Sequence, residues 1–413
     1  MRLLYVSRLF SGLADGLRER RWEPRGVPTV YRLLEALDRS DHDLRVVFTV
    51  KDDAVGWPER ATTTFSIDGF GRDVTVIPQP PLLPAGLGRA RGYLRELVQY
   101  QQIRRLVEAE KPDLVYFDRV NIYPAALLAR RLSVPVVWRV MGVPPAMHDM
   151  LELGGPVARF TRWAYRSPFA MVICSRDGSG GEQWMERALA PDTPRRMMIN
   201  GVDPEPGAPL PKSLEEDLEG GQTNVLFVAR LVDDKGCLEF VDALAQALDR
   251  APGSFRAFVA GSGPYETAMR ERARQSGHDA HFRFLGQVAH DQVLSLQARC
   301  DVYVSLNRMC NLTNANLEAI RAGVCMIIPA SPGIRGIDVD TDELMPANTI
   351  MRIRAADDVA GLRDTLLRLD AEPDERARRA RAIGEQASTF IPTWSERIVE
   401  EIALLERLAD TGR

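Results

Sequence analysis

The chain has 413 residues, 45% of them hydrophobic and 27% charged, with 53 Lys+Arg against 57 Asp+Glu. That length exceeds what one core organises and predicts two domains, while the ordinary composition, free of low-complexity tracts, excludes a fibrous, disordered or membrane-embedded chain. The net charge of −4 is unevenly shared, residues 1–203 holding 29 Lys+Arg against 24 Asp+Glu and residues 204–413 holding 24 against 33, so the first half is the one suited to an anionic surface or phosphorylated partner, and no nucleic-acid partner is expected.

The amino terminus MRLLYVS is too short an apolar run for a signal peptide, and no stretch reaches the length of a membrane span. Residues 3–7 read as a first strand. Residues 8–26 read as a long loop, with glycines, a basic cluster and no clean period. A helix at 28–37 opens on a proline, where a missing N–H costs nothing. A strand at 44–50 follows, then one or two within 62–77, and PQPPLLP at 78–84 reads as a rigid connector. The arginine-rich stretch 88–110 reads as a helix ended by Pro112. Strands at 113–117, 134–139, 169–174 and 196–199 then alternate with helices at 124–132, 156–167 and 180–189, the grammar of a doubly wound parallel sheet.

NGVD at 200–203 is a turn and the Pro/Gly-rich run beginning at 204 is a linker. The second half repeats the pattern, with strands expected at 224–229, 255–260, 281–285, 302–305, 325–329 and 349–353. A charged helix at 374–388 and an amphipathic one at 394–408 close the chain. The expected division is 1–203, a linker at 204–222, 223–390 and a terminal helix at 391–413, with the cleft between two such domains as the default binding site. The five cysteines, Cys174, Cys237, Cys300, Cys310 and Cys325, form no CxxC and have no His at ligand spacing. Neither a disulfide framework nor a zinc site is indicated, no metal is expected, and the compartment is read as reducing and cytoplasmic.

Chemistry concentrates in the second half. NVLFVARLVDDKG at 224–236 runs from a buried strand through an acidic turn into an amphipathic helix, placing Arg230 and Lys235 where open α/β sheets bind ligands. Lys235 is one of four lysines, with Lys51, Lys111 and Lys212, in a chain that otherwise uses arginine. An isolated R-x4-KG is equally the pattern of a solvated turn, so its weight depends on partners. Three stretches supply them. GSGP, with Gly261 and Gly263, follows the strand FRAFVA, and Gly286 ends another strand beside Leu285 and Val288. In NRMCNLTNANLEAIRAG, Thr313 or Asn314 would cap a helix that Gly323 ends, and its free N–H groups would suit a phosphate. Glu318 is expected near that helix's start, either accepting ribose hydroxyls or balancing the helix dipole.

Taken in order, KPDLVYFDRVNIYPAALLARRLSVPVVWRVMG, MVICSRDGSGGEQW, NGVD, FVARLVDDKG, VAGSGP, RFLGQV, NLEAIRAG and TWSERIVEEI resemble the successive landmarks of the retaining GT-B glycosyltransferases of the family 4 type, over nearly the whole chain. The resemblance implies two Rossmann-like α/β domains facing a cleft. It implies a metal-independent transferase with no cofactor, using a nucleotide-diphosphate sugar as donor and a glycan, lipid-linked or natural-product hydroxyl as acceptor. Arg230 and Lys235 would neutralise the donor diphosphate, Gly261 and Gly263 would approach the donor, Leu285, Gly286 and Val288 would border the base, and Glu318 would hold the ribose. The terminal helix would cross back to the first domain.

Two positions depart from the family. The first Glu of its E-x7-E pattern is Cys310 here, leaving Asn311, Thr313 and Asn314 as candidates for the donor sugar, and Met141 replaces the His of its HG pair, leaving Gly142. A catalytically weak relative that binds nucleotide or glycan as a partner subunit is the alternative these departures motivate. Acceptor candidates lie in the first half: Arg8, Gly12, Arg25 and Gly26 in the long loop, Asp118 and Arg119 at a strand end, Gly142 and His148. The Arg-rich helix is a candidate for peripheral contact with the inner membrane face, a solvated face being the other reading.

Overall fold

The computed structural model describes residues 1–51, 55–79, 90–204, 207–330 and 338–411. The chain divides into two compact units, one of Met1–Ser175, Glu182–Met198 and Trp394–Arg413, the other of Arg176–Gly181 and Ile199–Thr393.

The first unit is built on β1 (Arg2–Arg8), β2 (Asp43–Thr49), β3 (Thr63–Ile67), β4 (Phe70–Ile77), β5 (Leu114–Asp118), β6 (Val136–Val140), β7 (Met171–Ser175) and β8 (Arg195–Met198), in the spatial order β3-β4-β2-β1-β5-β6-β7-β8. Only the β3–β4 hairpin is antiparallel. Every residue of β5 and β6 is buried, as expected of strands covered on both faces, and apart from Asp118 and Arg139 they read in sequence as apolar runs. Helices α1 (Ser11–Arg18), α2 (Pro28–Asp38), α3 (Ala90–Glu110), α4 (Ile122–Arg131), α5 (Pro145–Glu152), α6 (Pro156–Tyr165) and α7 (Gly181–Ala188) follow in chain order. Leu13 and Leu17 of α1 and Leu33 and Leu37 of α2 share one core with Trp394, Ile398 and Leu405 of the last helix. Tyr100 and Ile103 of α3, Leu128 of α4, Ala164 of α6 and Trp184 of α7 form the core on the other face.

Two stretches differ from the sequence reading. Residues 8–26, expected as a loop, contain α1, in which Gly12 and Gly16 dilute the helical signal although Leu13, Ala14 and Leu17 are buried. The stretch between the strand read at 134–139 and the helix read at 156–167, opening on residues read as a loop at 141–145, contains α5, with Pro145 at its first position. Most of the 78–84 connector, residues 88–89 of the Arg-rich stretch and residues 205–206 lie outside the described residues.

The last helix is fixed to the first unit by a buried ionic group. The Glu401 carboxylate accepts from Tyr116 Oη at 2.6 Å and from Arg397 Nη1 at 2.5 Å, and Arg139, also buried, donates to Ser175 Oγ at 3.1 Å. Burial pushes the Glu401 carboxyl up, but Arg397, Arg139 and the Tyr116 hydrogen bond outweigh it and hold the group below the usual carboxylate range.

The second unit carries β9 (Thr223–Val228), β10 (Phe255–Ala260), β11 (Phe282–Gly286), β12 (Val302–Val304), β13 (Cys325–Pro329) and β14 (Met351–Ile353), ordered β11-β10-β9-β12-β13-β14, with parallel pairing throughout. Counted from β9 this is the 3-2-1-4-5-6 Rossmann order, whose direction reverses between β9 and β12. The helices are α8 (Lys212–Leu218), α9 (Cys237–Arg250), α10 (Glu266–Gln275), α11 (His290–Arg299), α12 (Asn314–Ala322), α13 (Val339–Leu344), α14 (Val359–Ala371) and α15 (Pro373–Phe390), before α16 (Trp394–Thr411). Helix α8 stands in the stretch read as linker, its Leu214 and Leu218 buried in the second unit's core. No helix among the described residues is long and apolar enough to cross a membrane.

Candidate functional site

A cavity of about 230 Å³ opens at the point where the second sheet reverses direction. Its walls are Phe227–Arg230 at the end of β9, Lys235, Ser305–Asn307 after β12, and Thr313–Asn316 at the start of α12. In an open α/β sheet this crevice is where both helix amino ends and strand carboxyl ends converge, so a ligand placed there meets backbone N–H groups without displacing packed side chains.

The loop holding the two cations is braced on three sides. Leu231 N–H donates to Ser262 O at 3.0 Å, and Leu231 O accepts from Tyr265 N–H at 3.0 Å. The Tyr265 hydroxyl donates to Asp233 Oδ1 at 2.9 Å, and Arg308 N–H donates to Asp234 O at 3.0 Å. Gly236 has a left-handed φ of +65°, and a Cβ there would lie 2.4 Å from Leu306 Cβ. Arg230 is exposed. Lys235, its side chain 17% exposed, has Nζ 3.3 Å from Asp234 Oδ2, so the ammonium is held at the cavity wall by a carboxylate that an arriving anion would compete with.

Gly261 and Gly263 serve that loop directly. At φ +137° a Cβ on Gly261 would sit 1.8 Å from Ala229 O, and one on Gly263 would sit 2.3 Å from Leu231 O. The close approach these glycines allow is to the neighbouring strand end, and neither lines the cavity. Gly261 N–H donates to Gly286 O at 2.7 Å. Gly286 has φ +66° with nothing within 4 Å of a built Cβ, and Leu285 and Val288 beside it are half-buried against the core.

Thr313 caps α12, its side chain accepting from Asn316 N–H at 3.4 Å, and Gly323 ends the helix at φ +69°. Asn314 is held by Asn200 of the NGVD turn, whose Nδ2 donates to Asn314 Oδ1 at 2.7 Å. Asn316, which the sequence reading passed over, accepts from the Tyr303 hydroxyl at 3.0 Å and donates to Asn311 O at 2.9 Å. Arg230, Lys235, Thr313 and Asn314 are thus brought together in one cavity.

Three other candidates stand apart from it. Asn311 is fully buried, its Nδ2 donating to Asp338 Oδ2 at 2.6 Å and to Pro329 O at 3.2 Å, so its donor side is committed to packing α13 against the sheet. Cys310 has its thiol pushed up by burial and accepts from Asn307 Nδ2 at 3.6 Å. Glu318 is the fifth residue of α12, with Oε1 2.9 Å from Nε2 of His290, the first residue of α11. His290 escaped the sequence reading because a lone His carries no spacing signal, and Asn200 and Asn307 stood in the quoted motifs without a role because their partners are set by the fold. Among the described residues no group of three or more His, Cys, Asp or Glu is placed to hold a metal ion.

The first-unit candidates have mostly structural surroundings. Asp118 sits where the first sheet reverses between β1 and β5, its carboxylate accepting from Ser7 Oγ at 3.1 Å, Arg8 N–H at 2.7 Å and Asn121 Nδ2 at 2.7 Å. A Cβ on Gly12 would lie 2.0 Å from Arg25 O, which explains both the glycine and the Arg25–Gly12 backbone hydrogen bond at 2.9 Å. Arg119 Nη1 donates to Gly142 O at 3.3 Å, joining two of the candidates. Gly26 has φ +92° with open space around it, and His148 lies half-buried on α5.

Two doubly wound parallel-sheet units, the second opening a cationic crevice at its switch point, define the GT-B class of fold. Residues 213–381 match the family described as glycosyl transferases group 1, and residues 26–190 match the glycosyl transferase 4-like domain. The chain belongs to the group 1 glycosyltransferases. It is 25% identical over 284 residues to a glycogen synthase of Mycobacterium tuberculosis, a match covering 68% of this chain and 65% of that relative. It is 28% identical over 297 residues to the 2-deoxystreptamine N-acetyl-D-glucosaminyltransferase of Streptomyces fradiae, covering 63% of this chain and 69% of that one. Among solved structures, the Anabaena protein HepE in complex with UDP and glucose superposes with a TM-score of 0.67 at 17% identity, over 98% of both chains, a likeness of fold.

Proposed function

We propose that the protein is a retaining glycosyltransferase, moving a sugar from a nucleotide-diphosphate sugar to a hydroxyl of a glycan, lipid-linked or natural-product acceptor. The observation that carries this reading is the cavity shared by Arg230, Lys235 and the first turn of α12 at the second sheet's switch point. Two cations and a helix amino end on one anion stabilise negative charge as it develops on a leaving diphosphate. In this reading Arg230 and Lys235 act on the diphosphate, Thr313 and Asn314 place the helix end beneath it, Leu285, Gly286 and Val288 border the base, and Glu318 meets the ribose. The acceptor oxygen bonds to the anomeric carbon from the face that the phosphate leaves, the bond from that carbon to the phosphate oxygen breaks, and the departing phosphate takes the hydroxyl proton. A resident metal has no part in this scheme. The activities for which the relatives are named, transfer to 2-deoxystreptamine and glycogen synthesis, support hydroxyl-bearing acceptors as a class.

Replacing Lys235 by Ala is expected to weaken donor or nucleoside-diphosphate binding by roughly 2–3 kcal/mol, the scale of a charge-assisted contact. Titration calorimetry with UDP, GDP and ADP measures it, and unchanged affinity would remove the cavity from the reaction.

The environment of Cys310 favours a second reading, a nucleotide-binding relative with weak turnover. Where the family pattern has a carboxylate there is a half-buried thiol, and the neighbouring Asn311 spends its donor group on Asp338 and Pro329. Nucleotide-induced melting shifts without hydrolysis or transfer from any of a panel of UDP-, GDP- and ADP-sugars would select it.

A further inference from the structure

We propose that His290 is a positioning residue for Glu318, orienting its carboxylate toward the donor's ribose and thereby setting discrimination between ribo- and deoxyribonucleotides. The inference rests on the donor-site reading above and adds a residue to it. Glu318 Oε1 lies 2.9 Å from His290 Nε2, the Glu318 side chain being 14% exposed and that of His290 62%. A carboxylate has acceptors only, so the Nε2 facing it carries a hydrogen in either charge state of the ring. An untethered Glu side chain on a helix face samples several rotamers and loses that freedom when it binds a hydroxyl. The histidine fixes one oxygen in advance and leaves the other to accept.

The two helices behind the pair are tied to each other. Helices α11 and α12 are joined where Gln297 Nε2, from the buried side of α11, donates to Ala315 O at 3.0 Å. His290 begins α11 four residues after Gly286, which has open space above it. The tether therefore comes from the segment that would border the base, and it reaches the carboxylate that would meet the sugar next to that base. A ligand spanning both would find its ribose contact already set, which is how orientation becomes selectivity.

The test uses the full chain, and its His290 variants keep Glu318 and Lys235 intact. Calorimetric titration with UDP, GDP and ADP, and with their 2′-deoxy and 3′-deoxy counterparts, gives the ribo-over-deoxy preference of the wild type. His290→Ala is expected to reduce that preference by roughly tenfold, the worth of one charge-assisted hydrogen bond, while weakening the deoxy forms little. His290→Gln, whose amide can still donate to Glu318, is expected to restore most of it. The proposal is overturned if His290→Ala keeps the full preference, or loses affinity equally for ribo and deoxy forms. Lys235→Ala measured alongside separates the two levels. If it loses diphosphate affinity while His290→Ala changes nothing, only the role of His290 fails. If it binds as the wild type does, or the wild type binds none of these diphosphates, the donor site and the inference built on it fail together.

Discussion

Asp338 shows how a single side chain can tie stability to pH. Its carboxylate caps α13 through Thr341 N–H at 3.2 Å and Thr341 Oγ1 at 2.7 Å, and it receives Asn311 Nδ2 at 2.6 Å. Burial nevertheless raises its pKa to about 6, those hydrogen bonds opposing the shift only in part. The folded chain therefore keeps this proton at a pH where the unfolded chain has lost it. The stability linked to Asp338 is present below the unfolded carboxyl value, declines as pH rises through about 4 to 6, and is gone above that, a change of order 2–3 kcal/mol. Urea unfolding of the wild type and Asp338→Asn at about pH 5 and about pH 7.5 should show the wild type gaining on the variant at the lower pH. Parallel pH dependences in the two proteins would contradict it.

At the scale of elements, the loop from Arg230 to Gly236 owes its shape to a neighbour. The GSGP turn lies against it so closely that Gly261 has no room for a methyl group, its built Cβ standing 1.8 Å from Ala229 O at φ +137°. Gly261→Ala is expected to destabilise the protein by about 2–4 kcal/mol through that clash and the left-handed backbone. It should also weaken nucleoside-diphosphate binding, because Ala229 and Arg230 line the cavity. Thermal unfolding and titration calorimetry read the two effects, and a stable variant with full affinity would refute the coupling. The strands and most helices around this loop were legible in sequence because parallel strands covered on both faces leave unbroken apolar runs. Helix α1 was hidden by Gly12 and Gly16, α5 by its opening prolines, and α8 by the Pro/Gly-rich run before it. Arg230 and Lys235 could be placed at the cavity from sequence because they follow a strand end, and Thr313 and Asn314 because they read as the cap of the next helix. The commitment of Asn311 to Asp338 and the pairing of Glu318 with His290 were not legible, since both partners are remote in sequence and only the folded sheet order brings them near.

Over the whole molecule, the two units carry buried carboxyls of opposite behaviour. Glu401 in the first unit is held below the usual range, so its stabilisation is present above the unfolded value and is lost as pH falls through the folded one. Asp338 in the second unit works the other way. Hydrogen exchange at about pH 7 and about pH 4.5 should show protection of β5 falling relative to that of β13 on acidification, and uniform change across both sheets would count against it. Glu401→Gln leaves Arg397 and Arg139 buried without their carboxylate, for an expected loss of about 3–5 kcal/mol in the first unit. Urea unfolding measures it, and a loss under about 1 kcal/mol would mean that the group is not the clasp its geometry implies.

The clasp has a consequence for how the protein is made. Trp394, Ile398 and Leu405 belong to the core that contains β1 and α2, yet they leave the ribosome after the whole of Ile199–Thr393. At ordinary rates of synthesis the nascent first unit waits roughly 10–40 s for its last helix. Meanwhile the apolar groove meant for α16 is bare, and Arg139 stands in it without the Glu401 carboxylate. Until that helix is made, the apolar side chains that Trp394, Ile398 and Leu405 cover in the finished protein have no partner from the carboxyl-terminal end.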